Sequence, residues 1–202
     1  MVQQFSEGVV KLLSDVWDNS SYNTVQALSD TLRKSVKLNE STVVLKNLRG
    51  LPDLINPANS NVAVVVIQLK GEFKGTLIIS AKDVDMMQFA DILLRKPIGY
   101  SKNLNEENLS VIGELGNLLG GFYLEGFMEL FGKKIKLDKP EIFFNENRVI
   151  EHSGLGNVYL QDIKVLLFQA SLSINLGAAC NVLLIFQEDS LNQIFNAVLQ
   201  KI

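Results

Sequence analysis

The chain repeats itself. Set against itself at an offset of 99 residues, "RKSVKL" (Arg33–Leu38) falls on "KKIKL" (Lys133–Leu137), so that Val36 meets Ile135, Lys37 meets Lys136 and Leu38 meets Leu137. The same offset, without a gap, sets Lys11 on Ser110, Asp15 on Glu114 and Asp18 on Asn117. Further on, "DVDMMQFADILLRK" (Asp83–Lys96) matches "DSLNQIFNAVLQK" (Asp189–Lys201) at an offset of 106, with Asp83 on Asp189, Phe89 on Phe195 and Leu93 on Leu199. Self-similarity in one order, at nearly the same offset, is the signature of a repeated architecture. It predicts a single domain over 1–202 made of two pseudo-repeats, 1–100 and 101–202. The boundary falls in "KPIGYSKN" (Lys96–Asn103), where Pro97 and Gly99 break any helix.

Each half reads as a long helix, a strand with a basic beginning, a hairpin and a closing helix. Ser6 and Glu7 place a capping residue and an acid at the start of the first helix. Asn103 to Glu107 suit the start of its partner for the same reason. "VAVVVIQLKGEFKGTLIIS" holds two β-rich runs around Gly71 and Gly75, a hairpin signal. "KVLLFQASLSINLGAACNVLLIF" is its counterpart, and "FQASLSINL" alternates apolar and polar residues as a half-buried strand does. The predicted class is α+β, an α/β sandwich. Its duplicated helix–β-hairpin–helix halves are related by a pseudo-two-fold, with long helices packed on an antiparallel sheet.

Composition narrows the function. Hydrophobic residues make up 47% of the 202, enough for a well-packed core. The net charge is −3 with no basic block, which argues against nucleic acid and anionic membranes as partners. Cys180 and His152 are the only residues of their types, so neither an internal disulfide nor a structural zinc is expected. The N-terminus lacks the features of a secretory signal, and the apolar runs "VAVVVI" and "VLLIF" are too short to span a bilayer. These features together lead us to expect a soluble cytoplasmic protein.

One helix is unusual. In "SVIGELGNLLGG" (Ser110–Gly121), Ser110, Glu114, Asn117 and Gly121 fall within roughly 40° of one another at 100° per residue, forming a narrow polar stripe. Val111, Ile112, Leu115, Leu118, Leu119 and Phe122 fill the opposite arc, wide enough to bury against a sheet. Gly113, Gly116 and Gly120 line a third side. An interior glycine costs a helix about 1 kcal/mol relative to alanine, so another element is expected to approach closely. On spacing alone, a solvated helix face is the ordinary reading of the stripe.

The pattern Ser-x-x-x-Glu-x-x-Asn-x-x-x-Gly resembles the signature of the CheC/CheX/FliY phosphatases of chemotaxis. The duplicated plan resembles CheC across nearly the whole chain, and "NTVQALSDTLRKSV" (Asn23–Val36) is similar to the family's "N-A-A-x-A-L-S" helix. The resemblance implies hydrolysis of the aspartyl phosphate on a CheY-type response regulator. It implies no covalent intermediate and no cofactor on this chain, since the regulator supplies its own Mg2+. By the same resemblance Asn117 orients the attacking water, Glu114 pairs with a lysine of the regulator, and Ser110 and Gly121 are contact or clearance positions. The residue types suit these roles, because phosphoryl transfer needs positioning and charge compensation more than covalent chemistry. An amide can hold a water without adding negative charge, and a carboxylate suits a cationic partner.

The first half departs from this pattern. Lys11, Asp15 and Asp18 stand at the matching stripe. Asp15 shortens the acidic arm by one methylene, and Asp18 would set a negative charge against an anionic transition state. Trp17, Asp18, Asn19 and Ser20 replace the glycines of a "GNIGAG"-like segment. A weak or dead first site is expected; its bland reading is a solvated face with a Lys11–Asp15 pair. His152, in "IEHSGLGN", reads as an exposed loop residue rather than a general base, and "GLGN" as a turn. Cys180 reads as buried and Met86 and Met87 as packing residues. The competing function is a non-catalytic module that binds a regulator, as flagellar switch components of the FliM kind do. CheD is a further partner that resemblance to CheC implies. A small-molecule enzyme finds no nucleophile–base pair or ligand cluster here.

Overall fold

A computed structural model describes residues 7–56, 60–144, 149, 164–175 and 177–199. In chain order it holds α1 (Glu7–Leu32), β1 (Val36–Asn47), a 3-10 turn (Leu48–Gly50), α2 (Leu51–Ile55), β2 (Val62–Gly71), β3 (Gly75–Lys82) and α3 (Asp83–Leu93). There follow α4 (Glu106–Phe131), β4 (Ile135–Leu137), β5 (Glu141–Phe143), β6 (Lys164–Ile174), β7 (Ala179–Phe186) and α5 (Glu188–Leu199). The antiparallel sheet and the helices on it are the predicted α+β class. Ser6 lies outside the described residues.

The two long helices are both 26 residues long. They also end alike. Gly132 closes α4 in the left-handed conformation at φ 63°, returning its N–H to the Met128 carbonyl at 2.9 Å. Arg33, at the matching repeat position, closes α1 at φ 51°. "NTVQALSDTLRKSV", likened to the family's helix, is helical up to Leu32 as the second half of α1, and its last residues turn into β1. No proline or glycine interrupts the stretch before Arg33, so the helix runs on.

Both predicted hairpins form, β2 with β3 and β6 with β7, each antiparallel. The sheet order is β1-β6-β7-β3-β2-β4, with β5 also pairing β2. Exchanging β1 for β4, β2 for β6 and β3 for β7 reads that order backwards. The two halves are therefore interleaved, each lending its first strand to the other's hairpin, with β1 on β6 and β4 on β2. Duplication of an ancestral unit is the origin we propose for this arrangement.

Strand alternation puts one set of side chains on each face. Val65, Ile67, Leu77, Ile79, Phe168, Leu172, Val182 and Leu184 meet α1, α3, α4 and α5. Val64, Val66, Ile78, Leu167, Leu183 and Ile185 face the other way, under Leu48, Leu51 and Ile55 of the 3-10 turn and α2. The alternation read in "FQASLSINL" is present from Phe168 to Ile174.

Candidate functional site on the outer face of the fourth helix

α4 is seated by its glycines. A Cβ on Gly116 would lie 2.9 Å from Val65 Cγ1, and one on Gly120 would lie 3.0 Å from both Leu137 Cδ1 and Leu77 Cδ2. These two glycines let the helix backbone sink onto the sheet, the close approach that the sequence required. Gly126, which the sequence reading passed over, sits against α1, where an added Cβ would meet Ser20 Oγ. At Gly113 the nearest atom is Pro140 Cβ, at an ordinary 3.9 Å, and at Gly121 nothing lies within 4 Å. Beside the crossing, Trp17 stacks on Tyr123 with centroids 4.5 Å apart, and its Nε1 donates to the Gln169 carbonyl at 2.8 Å. Phe127 meets Phe168 edge to face at 5.2 Å.

The N-terminus of α4 is held by a buried polar hub. Asn105 accepts from the Asn108 N–H at 2.9 Å, and the Asn108 side chain accepts in return from the Asn105 N–H. Asn108 Nδ2 donates to Ser101 Oγ at 2.9 Å. Ser101 Oγ donates in turn to Asp91 Oδ1 at 2.6 Å, and the Gly99 N–H donates to Asp91 Oδ2 at 2.8 Å. Asp91 is fully buried. The boundary "KPIGYSKN" is thus a braced turn that fixes where α4 starts. Outside it, the Lys96 ammonium donates to Glu107 at 2.6 Å, which pushes the lysine's pKa up. The sequence signalled the hub only as Asn-x-x-Asn, a capping box with asparagine where Glu or Gln is usual.

With its apolar arc on the sheet, α4 turns its stripe outward. Ser110, Glu114 and Gly121 are exposed and Asn117 is half-buried. The helix rise places Glu114 and Asn117 about 4.5 Å apart along the axis, on one side. Neither side chain has a hydrogen-bond or ion-pair partner among the described residues. Among the described residues the site is an open ridge, with an unpaired carboxamide beside an unpaired carboxylate.

The α1 stripe differs. Lys11 and Asp15 are exposed, and no ion pair joins them among the described residues. Asp18 is half-buried and occupied: Ser41 Oγ, on β1, donates to its Oδ1 at 2.5 Å, and Ser41 lies 3.2 Å from Ser21 Oγ. The matching strand in the second half, β4, stops at Leu137, and the residue matching Ser41 is Pro140. Among the described residues no hydroxyl therefore reaches up to Asn117.

Cys180 is fully buried, and burial pushes its thiol up to about 12, as its reading as an inert core residue requires. Met86 is buried in the core as expected. His152 and "GLGN" lie outside the described residues. Among the described residues, no group of three or more His, Cys, Asp or Glu could hold a metal ion, and no helix is long and apolar enough to cross a membrane.

The fold and the ridge together define a protein whose candidate polar groups stand on the outer face of one helix. The chain belongs to the CheC/CheX/FliY family of chemotaxis phosphatases: the family model described as chemotaxis phosphatase CheX matches residues 63–164, half of the chain and the half that contains α4. The CheY-P phosphatase CheC of Bacillus subtilis is 22% identical over 151 residues, covering 74% of this chain and 72% of that protein. Among solved structures, FliY of Thermotoga maritima superposes with TM-score 0.73 at 16% identity over all of both chains. The FliM middle domain of H. pylori gives 0.70 at 12% identity, covering 95% of this chain and 99% of that one. CheX of Borrelia burgdorferi, in a complex with CheY, BeF3 and Mg2+, gives 0.57 at 17% identity, covering 85% and 98%.

Proposed function

We propose that this chain hydrolyses the aspartyl phosphate of a CheY-type response regulator from the outer ridge of α4. The carrying observation is that, among the described residues, the Asn117 carboxamide has no partner beside an equally unpaired Glu114 carboxylate, whereas Asp18, at the position matching Asn117, is tied to Ser41 of β1. The regulator presents the acyl phosphate with its own Mg2+, as the complex of the related CheX with CheY, BeF3 and Mg2+ suggests. Asn117 accepts a hydrogen bond from the attacking water and holds it in line with the phosphorus. The water oxygen bonds to phosphorus as the bond from phosphorus to the aspartyl oxygen breaks, leaving a free carboxylate and inorganic phosphate. Glu114 pairs with a lysine of the regulator, a charge-assisted contact that fixes register. Ser110 lines the same ridge one turn earlier, and Gly121 keeps it low.

Phosphate release from a phosphorylated CheY-type regulator tests the proposal. Asn117→Ala is expected to keep the thermal stability of the parent and to lose on the order of 100-fold in accelerated release, the usual cost of a misplaced nucleophile. Equal release by the two proteins would remove the catalytic reading. The likeness to the FliM middle domain favours one alternative, a module that binds the regulator without hydrolysing its phosphate. That alternative requires saturable binding with an unchanged phosphoryl half-life. For CheD, the chain offers no residue that marks a surface.

A further inference from the structure

The repeat carries the α4 ridge onto α1 residue by residue, Ser110 to Lys11, Glu114 to Asp15 and Asn117 to Asp18. The last position of the stripe, Gly121, falls on Tyr22. Tyr22 is 65% exposed, the highest value among the exposed large hydrophobics of the described residues. At 100° per residue it lies on the same line as Lys11, Asp15 and Asp18, about 6 Å along the axis beyond Asp18. Where the α4 ridge has only a hydrogen, the α1 ridge raises a phenol ring. An added Cβ on Gly121 meets nothing among the described residues within 4 Å, so no packing within them calls for a glycine there.

We propose that Tyr22 closes the first helix face to docking, so that each chain engages one regulator, on α4 alone. This inference rests on the regulator reading given above. It differs from the loss of chemistry at Asp18. A charge against the transition state slows a docked regulator, whereas a ring at the clearance position keeps the regulator from seating at all. Rebuilding Lys11, Asp15 and Asp18 is therefore not enough to make a second site.

The experiment counts regulators bound per chain by titration calorimetry and sedimentation. The probe is a CheY-type regulator loaded with beryllofluoride and Mg2+. The parent chain binds one. Gly121→Tyr, which puts the same ring on α4, binds none. A chain with Lys11→Ser, Asp15→Glu and Asp18→Asn still binds one while Tyr22 remains, and binds two once Tyr22→Gly is added. All the altered side chains are exposed or half-buried, and thermal melts of each variant check that the fold is kept. Two regulators on the parent chain, two on the rebuilt chain that keeps Tyr22, full binding by Gly121→Tyr, or one on the rebuilt chain that lacks Tyr22 would each overturn the inference. Failure of the underlying reading looks different: there the parent chain binds no regulator.

Discussion

Gly121→Ala separates the two things a helix glycine can be for. Gly121 is exposed, has ordinary helical φ, and faces open space where a Cβ would go. Nothing among the described residues uses its bareness, so the methyl brings the helix preference of alanine. That preference is worth about 0.5–1 kcal/mol, part of it through the unfolded chain. For a chain of this size the gain corresponds to a rise in Tm of about 1–4 °C. If a regulator's surface passes close over the ridge, the same methyl holds the partner off the carboxamide of Asn117, and accelerated phosphate release falls by about tenfold or more. The expected signature is opposite signs: a higher Tm in differential scanning calorimetry and a lower rate in the release assay. Gly120→Ala, one residue back, is the control. Its methyl would press on Leu137 and Leu77 at 3.0 Å, and overpacking of this kind costs about 1–3 kcal/mol, more than the helix preference returns. A Gly121→Ala protein that melts lower than its parent would mean that the fold itself needs the glycine. One that melts higher with full activity would mean that no partner comes near it. Either result refutes the reasoning.

Four more outcomes follow from the same contacts. Asp91→Ala leaves the Gly99 and Ser101 N–H groups and the Ser101 hydroxyl without their buried acceptor; a loss of about 2–4 kcal/mol is expected in denaturant melts, with faster amide exchange through Asn105 to Leu109. Arg33→Gly relieves a left-handed residue at the end of α1 and is expected to add about 0.5–1 kcal/mol by the same assay. Cys180, with its thiol buried and pushed up to about 12, stays unmodified by iodoacetamide at pH 8 until the chain is unfolded, as mass spectrometry of the intact protein reads. Gly71→Ala, at φ 112° with the Lys134 carbonyl oxygen 2.6 Å from the added Cβ, is expected to lose more than about 1 kcal/mol in thermal melts.

Much of this was legible in the chain because it depends on local period. The hairpins, the two long helices and the outward stripe on α4 follow from alternation, from 3.6-residue spacing and from the glycines that break them. The class of fold was legible for the same reason. The interleaving of the halves was not. That β1 pairs β6, Val36 with Ile174 and Asn47 with Lys164, more than a hundred residues on, depends on which edges remain open after the hairpins form, and no local pattern records it. The hub at Asp91 was hidden for another reason. An aspartate in an amphipathic helix next to a Pro-Gly turn reads as solvated, and only the return of Ser101 onto it makes it a buried acceptor. Tyr22 was in plain view in the repeat, but its significance needed Gly121 to be seen standing over empty space.

The different fates of the two stripes trace to one difference between the first strands of the halves. β1 runs 12 residues, with a bulge between Leu38 and Glu40, and so carries Ser41 back under α1. β4 pairs β2 over only three residues, and the chain then breaks at Asp138–Pro140 before pairing β2 again as β5. Proline has no N–H to give a ladder, so the strand cannot run on through that position as β1 does. In the first half, the continued strand supplies a hydroxyl to the residue in the asparagine position, and an aspartate there gains a structural bond. In the second half, the broken strand supplies nothing, and the carboxamide is left to face outward. A chain built on two near-equal halves can keep one helix face for a partner and give the other to its own fold. What separates the two is how far a strand runs.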